Sequence, residues 1–161
     1  NSTVLKDHAQ IACSELDIEL VEVVGTNTSE MIAALSAIVS AIDAIYIGTD
    51  NTAASCIESL HRIALAQKTP IICADISMSR SGGMIGYGFD YYAFGIDTSR
   101  MVLEIIRGKT PSEIESRLIG PESLQLLINL DYAKQIGLMI PEALIARASF
   151  IIENGVEREI K

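Results

Sequence analysis

Apolar side chains recur along this chain with two alternating periods. In residues 4–16 they return every three or four positions, which predicts an amphipathic helix, and the apolar run at 18–24 then predicts a strand. Two further strands are predicted at 43–47 and 70–74, each preceded by a stretch of helical period. Strands that alternate with helices indicate βαβ units. We therefore predict an α/β fold, a three-layer parallel sheet with helices on both faces.

The second half of the chain has a less regular pattern. Residues 79–88 are rich in glycine and serine and predict a loop with a short edge strand. A helix is predicted over 90–107, and a polar connector with proline near each end follows at 109–121. Residues 124–130 predict a strand followed by short helices, and the charged tail at 153–161 is expected to fray.

Composition places the chain among globular domains and narrows its partners. Its 161 residues are enough for one domain with a buried core, and 49% of them are apolar. The formal charge of −9 argues against nucleic acid and anionic membrane surfaces as partners. No apolar run approaches the roughly 20 residues that a membrane-spanning helix needs.

No cofactor or metal pattern stands out. Cys13, Cys56 and Cys73 are scattered and are expected to be small buried side chains. The glycine cluster at 83–88 has the reverse of the dinucleotide-binding spacing, so no cofactor is predicted. The chain does not open with Met, shows no signal peptide and starts on a helix, so we expect a piece of a longer protein.

Polar side chains follow each predicted strand at the point where the strand ends. Thr26 and Asn27 follow the first, Asp50 and Asn51 the second, and Asp75 the third. Because the carboxyl ends of parallel strands meet at one edge of a sheet, and helix N-termini point there, these groups should converge on one crevice. This chemistry favours a small polar ligand that carries an amine or hydroxyls.

Helix capping is the alternative explanation for these residues. Asn27 and Asp50 are good N-cap residues, and Glu30 follows Asn27 at capping-box spacing. Asp75 is harder to explain in this way, since no clear helix is predicted after it and a turn is the remaining alternative. The aromatic group at 91–94 is expected either to pack in the core or to form a stacking wall for a ligand.

Over nearly its whole length the chain resembles the substrate-binding proteins of ABC transporters, in particular the tryptophan- and tyrosine-associated binding lipoproteins. The segments that carry the resemblance include Gly48-Thr-Asp-Asn-Thr52, Pro70-Ile-Ile-Cys-Ala-Asp75, Gly86-Tyr-Gly-Phe-Asp-Tyr-Tyr92 and Ile128-Asn-Leu-Asp-Tyr-Ala-Lys-Gln-Ile-Gly137. The loop after Asp75 departs from the family pattern, which leaves the identity of the ligand open.

The resemblance implies one lobe of a type I periplasmic-binding protein-like fold, in which two α/β lobes close on a ligand. Residues 1–120 would form the second lobe. Residues 121–152 would form a C-terminal strand and helices, with a crossing back to the missing first lobe as one option, and 153–161 a charged tail. Carried over to this sequence, the ligand contacts are Asn1, Ser2, Thr26, Asn27, Asp50, Asn51 and Asp75.

The function that the resemblance implies is capture of a small polar solute outside the cytoplasm and delivery to a membrane permease, without catalysis. An amino acid is the expected ligand, and the missing first lobe supplies the opposite wall of the site. Two alternatives remain open from the residues. The same fold serves as a ligand-sensing domain of regulators, and an α/β enzyme could use Asp50 and Asp75 as acid and base, although no nucleophile pattern favours it.

Overall fold

The structure, a computed structural model, describes residues 2–116 and 120–160. The helices are α1 (Ser2–Glu15), α2 (Thr28–Ile38), α3 (Asn51–Ala66), α4 (Ile76–Ser81), α5 (Tyr91–Ile106), α6 (Leu130–Ile136) and α7 (Glu142–Ile145). The strands are β1 (Ile45–Ile47), β2 (Ile71–Cys73), β3 (Ile85–Phe89), β4 (Leu124–Asn129), β5 (Phe150–Glu153) and β6 (Val156–Glu159). Short 3-10 turns lie at Val39–Ala41, Pro111–Glu113 and Pro121–Ser123.

Within the described residues, the strands form one sheet in the order of the sequence. Strands β1, β2 and β3 are parallel to one another, and β4 is parallel to β5. The chain reverses between β3 and β4 and again in the β5–β6 hairpin, where the pairing is antiparallel. The predicted α/β class is confirmed, and the sheet is mixed rather than wholly parallel.

Buried apolar side chains from the helices and the strands form the core. Helix α3 buries one face, made of Ala53, Cys56, Ile57, Leu60 and Ala64. Against it lies Tyr132 of α6, whose ring meets His61 edge-on with centroids 4.6 Å apart. The Tyr132 hydroxyl donates to the Thr69 carbonyl at 2.8 Å, which satisfies the polar end of a fully buried ring. Cys56 and Cys73 are buried free thiols, as predicted, whereas Cys13 is only half-buried.

The strand predicted at 18–24 is wrong. This segment has no regular secondary structure and pairs with none of the described strands. Ile18, Val21 and Val24 are exposed, by 53%, 48% and 72%. A strand is stabilised by its neighbours rather than by its own sequence, so an apolar run without a partner strand does not form one. Glu22 of this segment forms an exposed ion pair with Lys6 of α1, at 3.4 Å.

The segment predicted as a loop with a short edge strand is also different. Residues 76–81 form helix α4, and β3 lies in the interior of the sheet, between β2 and β4. Interior strands rarely carry glycine, because glycine has no side chain to pack. In β3, Gly86 and Gly88 make room for α4 and the chain before it, and this close approach explains the unusual composition.

The C-terminal part of the chain lies on the same sheet. Strand β4, predicted at 124–130, pairs with the whole length of β3, from Leu124 opposite Phe89 to Ile128 opposite Ile85. The tail predicted to fray forms β6 instead. Its hairpin turns at Asn154 and Gly155, whose φ values of 54° and 71° suit the Asn-Gly two-residue turn. The division of the chain at residue 120 into a lobe and a C-terminal part stays a prediction.

Candidate ligand-binding cleft

The ends of β1 and β2 lie side by side at one edge of the sheet. The strands are parallel with Ile47 opposite Cys73, and the Ala74 amide donates to the Ile47 carbonyl at 2.8 Å. The chain continues from β1 to Asp50 and from β2 to Asp75, within three residues of this paired position. The register of two short strands therefore brings two carboxylates to the same edge.

Asp50 is the N-cap residue of α3. Its backbone is extended, with φ −133° and ψ 126°, and its side chain accepts a hydrogen bond from the Ala53 amide at 2.9 Å. The side chain is half-buried. The capping explanation is confirmed for this residue, and it has a consequence for the cleft. The N-terminus of a 16-residue helix points at the same edge and adds its partial positive charge there.

Asp75 is the N-cap residue of α4, contrary to the expectation that no helix follows it. Its Oδ1 accepts from the Met78 amide at 2.7 Å, and the residue is only 6% exposed. An ionised carboxylate has about four lone-pair sites. The cap takes one of them, so capping does not exclude a second role for this carboxylate.

An open cleft of about 860 Å³ lies above these strand ends. Its volume is within the range of small-molecule sites. Its polar lining residues are Thr49, Asp50, Asn51, Thr52, Asp75, Ser77, Ser81 and Tyr91. Three of the predicted site residues, Asp50, Asn51 and Asp75, are therefore brought together.

Two glycines of β3 fix the backbone around Asp75. A Cβ at Gly88 would lie 2.2 Å from the Ala74 carbonyl oxygen and 2.8 Å from the Asp75 Cα. A Cβ at Gly86 would lie 2.4 Å from the Ser79 Oγ and 3.0 Å from the Asp75 carbonyl oxygen. Any larger residue would push the strand away from the cleft floor, so these glycines position Asp75.

Burial at the end of β2 changes the pKa of the Cys73 thiol. Burial raises the pKa of the Cys73 thiol to about 11, and the negative charge of Asp75 adds to this, while a hydrogen bond with Ser79 opposes it. Cys73 is 1% exposed. Its thiol is therefore neutral at physiological pH and chemically inert.

Thr26 and Asn27 have a different place. Asn27 caps α2, with its Oδ1 accepting from the Glu30 amide at 3.0 Å. The amide and hydroxyl of Thr26 both donate to Glu30 Oε2, at 2.9 and 2.7 Å, and lower the pKa of the Glu30 carboxyl. This is a capping arrangement on an exposed surface, and neither residue is among those that line the cleft. The ligand contact that the resemblance implies for them stays untested, and their place outside the cleft argues against it.

The predicted site residues at the N-terminus and the aromatic residues at 91–94 also differ in their position relative to the cleft. Asn1 lies outside the described residues, and Ser2 is the first residue of α1. Of the three aromatic residues predicted either to pack in the core or to face a ligand, Tyr91 lines the cleft. Tyr92 and Phe94 do not line it and are exposed by 79% and 47%, so the core-packing alternative is wrong for both.

Sequence reasoning missed the contribution of α4. Ser77 and Ser81 lie one helical turn apart and both line the cleft. The available signal was Asp75 as an N-cap, with the Gly82–Gly83 pair just after the last turn. Among the described residues, no three His, Cys, Asp or Glu side chains come together as a metal site. In the same residues, no helix is both long and apolar enough to span a membrane.

The model of the family described as ABC transporter substrate binding protein matches residues 1–152. The chain belongs to this family. The resemblance noted from the Thr-Asp-Asn-Thr segment and the Asp75 strand end is thereby confirmed.

Individual relatives agree with this assignment. A tyrosine-binding protein of Clostridioides difficile is 28% identical over 134 residues, which are 83% of this chain and 38% of that protein. A crystal structure of a conserved domain protein from Vibrio cholerae is 33% identical, with a TM-score of 0.85 over 95% of this chain and 51% of that one. An ABC domain from Streptococcus pneumonia in complex with L-Trp, 22% identical with a TM-score of 0.84, shares the fold over 94% of this chain and 51% of its own.

The chain thus spans about half the length of the solved structures that it matches, and less of its curated relative. For a substrate-binding family member, the strand-end cleft has suitable chemistry. The carboxylates of Asp50 and Asp75 attract a cationic group. The hydroxyls of the Thr and Ser side chains accept and donate hydrogen bonds, and Tyr91 offers an aromatic face.

Proposed function

We propose that this chain is one half of the solute-binding component of an ABC transporter, that the strand-end cleft binds an amino acid, and that the protein is not an enzyme. The observation that carries the proposal is Asp75, a buried carboxylate at the cleft floor whose cap uses one of its acceptor sites. Burial of a carboxylate is costly unless it is paired, and a ligand ammonium group would provide the pairing charge.

The charge balance of the cleft supports an amine-bearing ligand. Among its described lining residues two are acidic and none is basic. A ligand carboxylate would then be bound by hydroxyls, by helix amides or by the other half of the protein. The tyrosine-binding relative supports an aromatic amino acid, and Tyr91 at the rim supports a ring that stacks there.

The rest of the proposal concerns the whole protein. A first lobe closes on the ligand from the opposite side, and the closed protein delivers it to a membrane permease from outside the cytoplasm. Half of a cleft supplies only half of the contacts. We therefore expect the 161-residue chain alone to bind at least 100-fold more weakly than the roughly 1 µM affinity, about −8 kcal/mol, of a complete site.

Calorimetry with matched ligands tests the proposal. The full-length parent protein is titrated with L-tyrosine, with tyramine, which lacks the carboxylate, and with 3-(4-hydroxyphenyl)propionate, which lacks the ammonium group. We expect L-tyrosine to bind and the ligand without the ammonium to lose the most affinity, because Asp75 then stays buried and unpaired. Equal binding of L-tyrosine and the deaminated acid would contradict the assignment of Asp75.

Uptake by a gene-deletion strain tests the delivery step separately from ligand binding. Deletion of the gene should reduce uptake of the labelled amino acid that calorimetry identifies, and the gene supplied in trans should restore it. Normal uptake in the deletion strain would contradict the delivery step while leaving ligand binding intact.

A further inference from the structure

The C-terminal hairpin, formed by β5 and β6, is linked to a helix that lines the cleft. Arg80 lies in the last turn of α4, and Glu157 lies in β6. The Arg80 Nε donates to Glu157 Oε1 and Oε2 at 3.1 and 2.9 Å, and its Nη2 donates to Oε1 at 2.8 Å. Two guanidinium nitrogens thus contact both carboxylate oxygens. Such bidentate pairs are strong, and they fix the relative orientation of the two groups.

The surroundings of Arg80 favour a fixed pair over a transient surface contact. The side chains of Arg80 and Glu157 are only 36% and 33% exposed. The Arg80 guanidinium carbon lies 5.0 Å from the ring centre of Phe150 in β5, which adds a cation–π contact. The hydrogen bonds with Glu157 raise the pKa of Arg80, and the negative charges of Glu157 and Asp90 add to this. The arginine therefore stays charged and bound to the hairpin.

The hairpin is itself anchored to the domain at its turn. One carboxylate oxygen of Asp131 in α6 accepts from the Gly155 amide at 2.8 Å, and the other accepts from the Asn154 amide at 2.9 Å. These two hydrogen bonds lower the pKa of the Asp131 carboxyl. Beyond the turn, Glu157 lies opposite Ile152 in the strand pairing. The position of Glu157 is therefore set by the hairpin before it binds Arg80.

Helix α4 lies between this hairpin and the cleft. Ser77 and Ser81 line the cleft on one side, whereas Arg80 binds β6, at the opposite end of the sheet from β1 and β2. The helix has only six residues, and a helix of this length is not stable on its own in water. Its position therefore depends on the contacts that hold it, and those contacts also determine where its two cleft hydroxyls lie.

We propose that Arg80 and Glu157 are positioning residues of the cleft, whose ion pair fixes α4 so that the Ser77 and Ser81 hydroxyls meet a bound ligand at a constant place. The inference rests on the proposed ligand-binding function, and neither Arg80 nor Glu157 lines the cleft itself. A wall that is ordered in advance binds more tightly, because the ligand does not have to order it. Glu157 lies outside residues 1–152, so the family match does not account for this contact.

A second ion pair in the same hairpin provides a matched control. Arg158 follows Glu157 along β6 and donates to Glu153 of β5. Successive side chains of a strand point to opposite faces of the sheet, so Arg158 lies on the face away from α4. Arg158→Gln therefore removes an arginine–glutamate pair from the hairpin without removing a contact to the helix.

Hydrogen exchange of the full-length parent, measured by mass spectrometry without ligand, tests the contact directly. Glu157→Gln keeps the size of the side chain and removes the charge that holds Arg80. We expect the amides of residues 78–83 to exchange about fivefold faster in this variant, because α4 opens more often when the hairpin no longer holds it. Arg158→Gln should leave their exchange unchanged. Equal acceleration in both variants, or none in either, would overturn the proposal whichever ligand the cleft binds.

Calorimetry of the same parent with L-tyrosine measures the effect on the cleft. Arg80→Gln and Glu157→Gln should each weaken binding about fivefold, and the double variant should be no weaker than either, because both changes break one contact. Arg158→Gln should leave the affinity unchanged. The first two substitutions change the net charge in opposite directions. Effects of opposite sign on affinity would mean that these charges act on the ligand through space, which would overturn the proposal.

Ser77→Ala distinguishes positioning of the cleft from general stabilisation of the fold. It should cost less affinity in the Glu157→Gln background than in the wild type, because the hydroxyl is already displaced there. An equal cost in both backgrounds would overturn the proposal. A wild-type parent that fails to bind L-tyrosine would instead contradict the proposed function, and the exchange of residues 78–83 would still decide whether the ion pair holds α4.

Discussion

Asn27 and Asp75 are both helix N-caps that follow an apolar run, yet they lie in different surroundings. Each accepts a hydrogen bond from the amide three residues on, at 3.0 Å for Asn27 and 2.7 Å for Asp75. Asp75 is 6% exposed at the floor of a cleft, whereas Asn27 is exposed and outside it. The difference comes from the preceding run. Residues 71–73 pair with β1 and β3, and 18–24 pair with no described strand.

The comparison teaches that a cap becomes part of a binding site only when a paired strand fixes its position. A lone cap stabilises its own helix. Asp75 is held from below by β2, from the side by the glycines of β3, and from above by α4. A ligand group can then meet a carboxylate whose place does not change, and binding does not have to order it first.

The largest expected effect on stability comes from disturbing the contact between β3 and the backbone before Asp75. Gly88→Ala places a Cβ 2.2 Å from the Ala74 carbonyl oxygen, and backbone atoms cannot move aside cheaply. We expect the free energy of unfolding of the 161-residue chain to fall by about 3 kcal/mol, measured by urea denaturation. An unchanged midpoint would mean that β3 does not press on the Asp75 backbone.

A glycine outside the core provides the control for that substitution. A Cβ at Gly95 in α5 would meet nothing within 4 Å. Gly95→Ala should therefore raise the free energy of unfolding of the same chain, by about 0.5–1 kcal/mol, because glycine in a helix carries an entropic cost that alanine does not. The opposite signs of the two glycine substitutions separate backbone contact from helix propensity.

The buried end of β2 gives the next effect, a dependence of stability on high pH. The folded pKa of the Cys73 thiol is about 11, above its ordinary value of 9. The stabilisation that the neutral Cys73 thiol contributes is therefore complete below pH 9 and is lost as the pH rises through about 11. The free energy of unfolding should fall by about 2 kcal/mol between these values on account of this thiol.

Cys73→Ala isolates this contribution, since Tyr132, whose pKa burial raises to about 12, also titrates towards high pH. The difference in stability between the wild type and the variant should shrink from pH 9 to pH 11. A difference that stays constant over this range would show that water reaches the end of β2, and the contrast with the exposed Asn27 region would weaken.

The smallest effect belongs to the isolated cap. Asn27→Ala removes one hydrogen bond to the Glu30 amide and should lower the free energy of unfolding by about 1 kcal/mol. The affinity of the parent protein for its ligand should be unchanged, because Asn27 does not line the cleft. A loss of affinity without a loss of stability would place Asn27 in the binding site after all.

The amino-acid pattern was sufficient for the elements that are buried along one face. Helices α2 and α3 and strands β1, β2 and β4 lie where the periodicity predicts them, because that periodicity reports a face turned to a core. Helices α1 and α5 also lie where it predicts them, although none of their described side chains is buried. It was also sufficient for Asp50, Asn51 and Asp75, since polar residues after consecutive buried strands converge wherever the strands are parallel neighbours.

The remaining elements depend on contacts that one segment cannot report. Residues 18–24 have the composition of a strand and lack a described partner strand. Strand β3 has the composition of a loop. Gly86 and Gly88 leave space for Ser79 and Ala74, which only the fold brings close to β3. The charge of residues 153–161 predicts fraying, but Asn154-Gly155 is a recognised turn signal and forms the turn of the β5–β6 hairpin.

The most direct test of the ligand site is calorimetry on the full-length parent protein with L-tyrosine and the pair Asp75→Asn and Asn27→Ala. Asparagine keeps the size of the side chain and an oxygen for the Met78 amide while it removes the charge that would meet the ammonium group. We predict that Asp75→Asn weakens binding at least 100-fold with the fold intact, and that Asn27→Ala leaves it unchanged. Equal affinities for all three proteins would contradict the claim that this strand end binds the ligand.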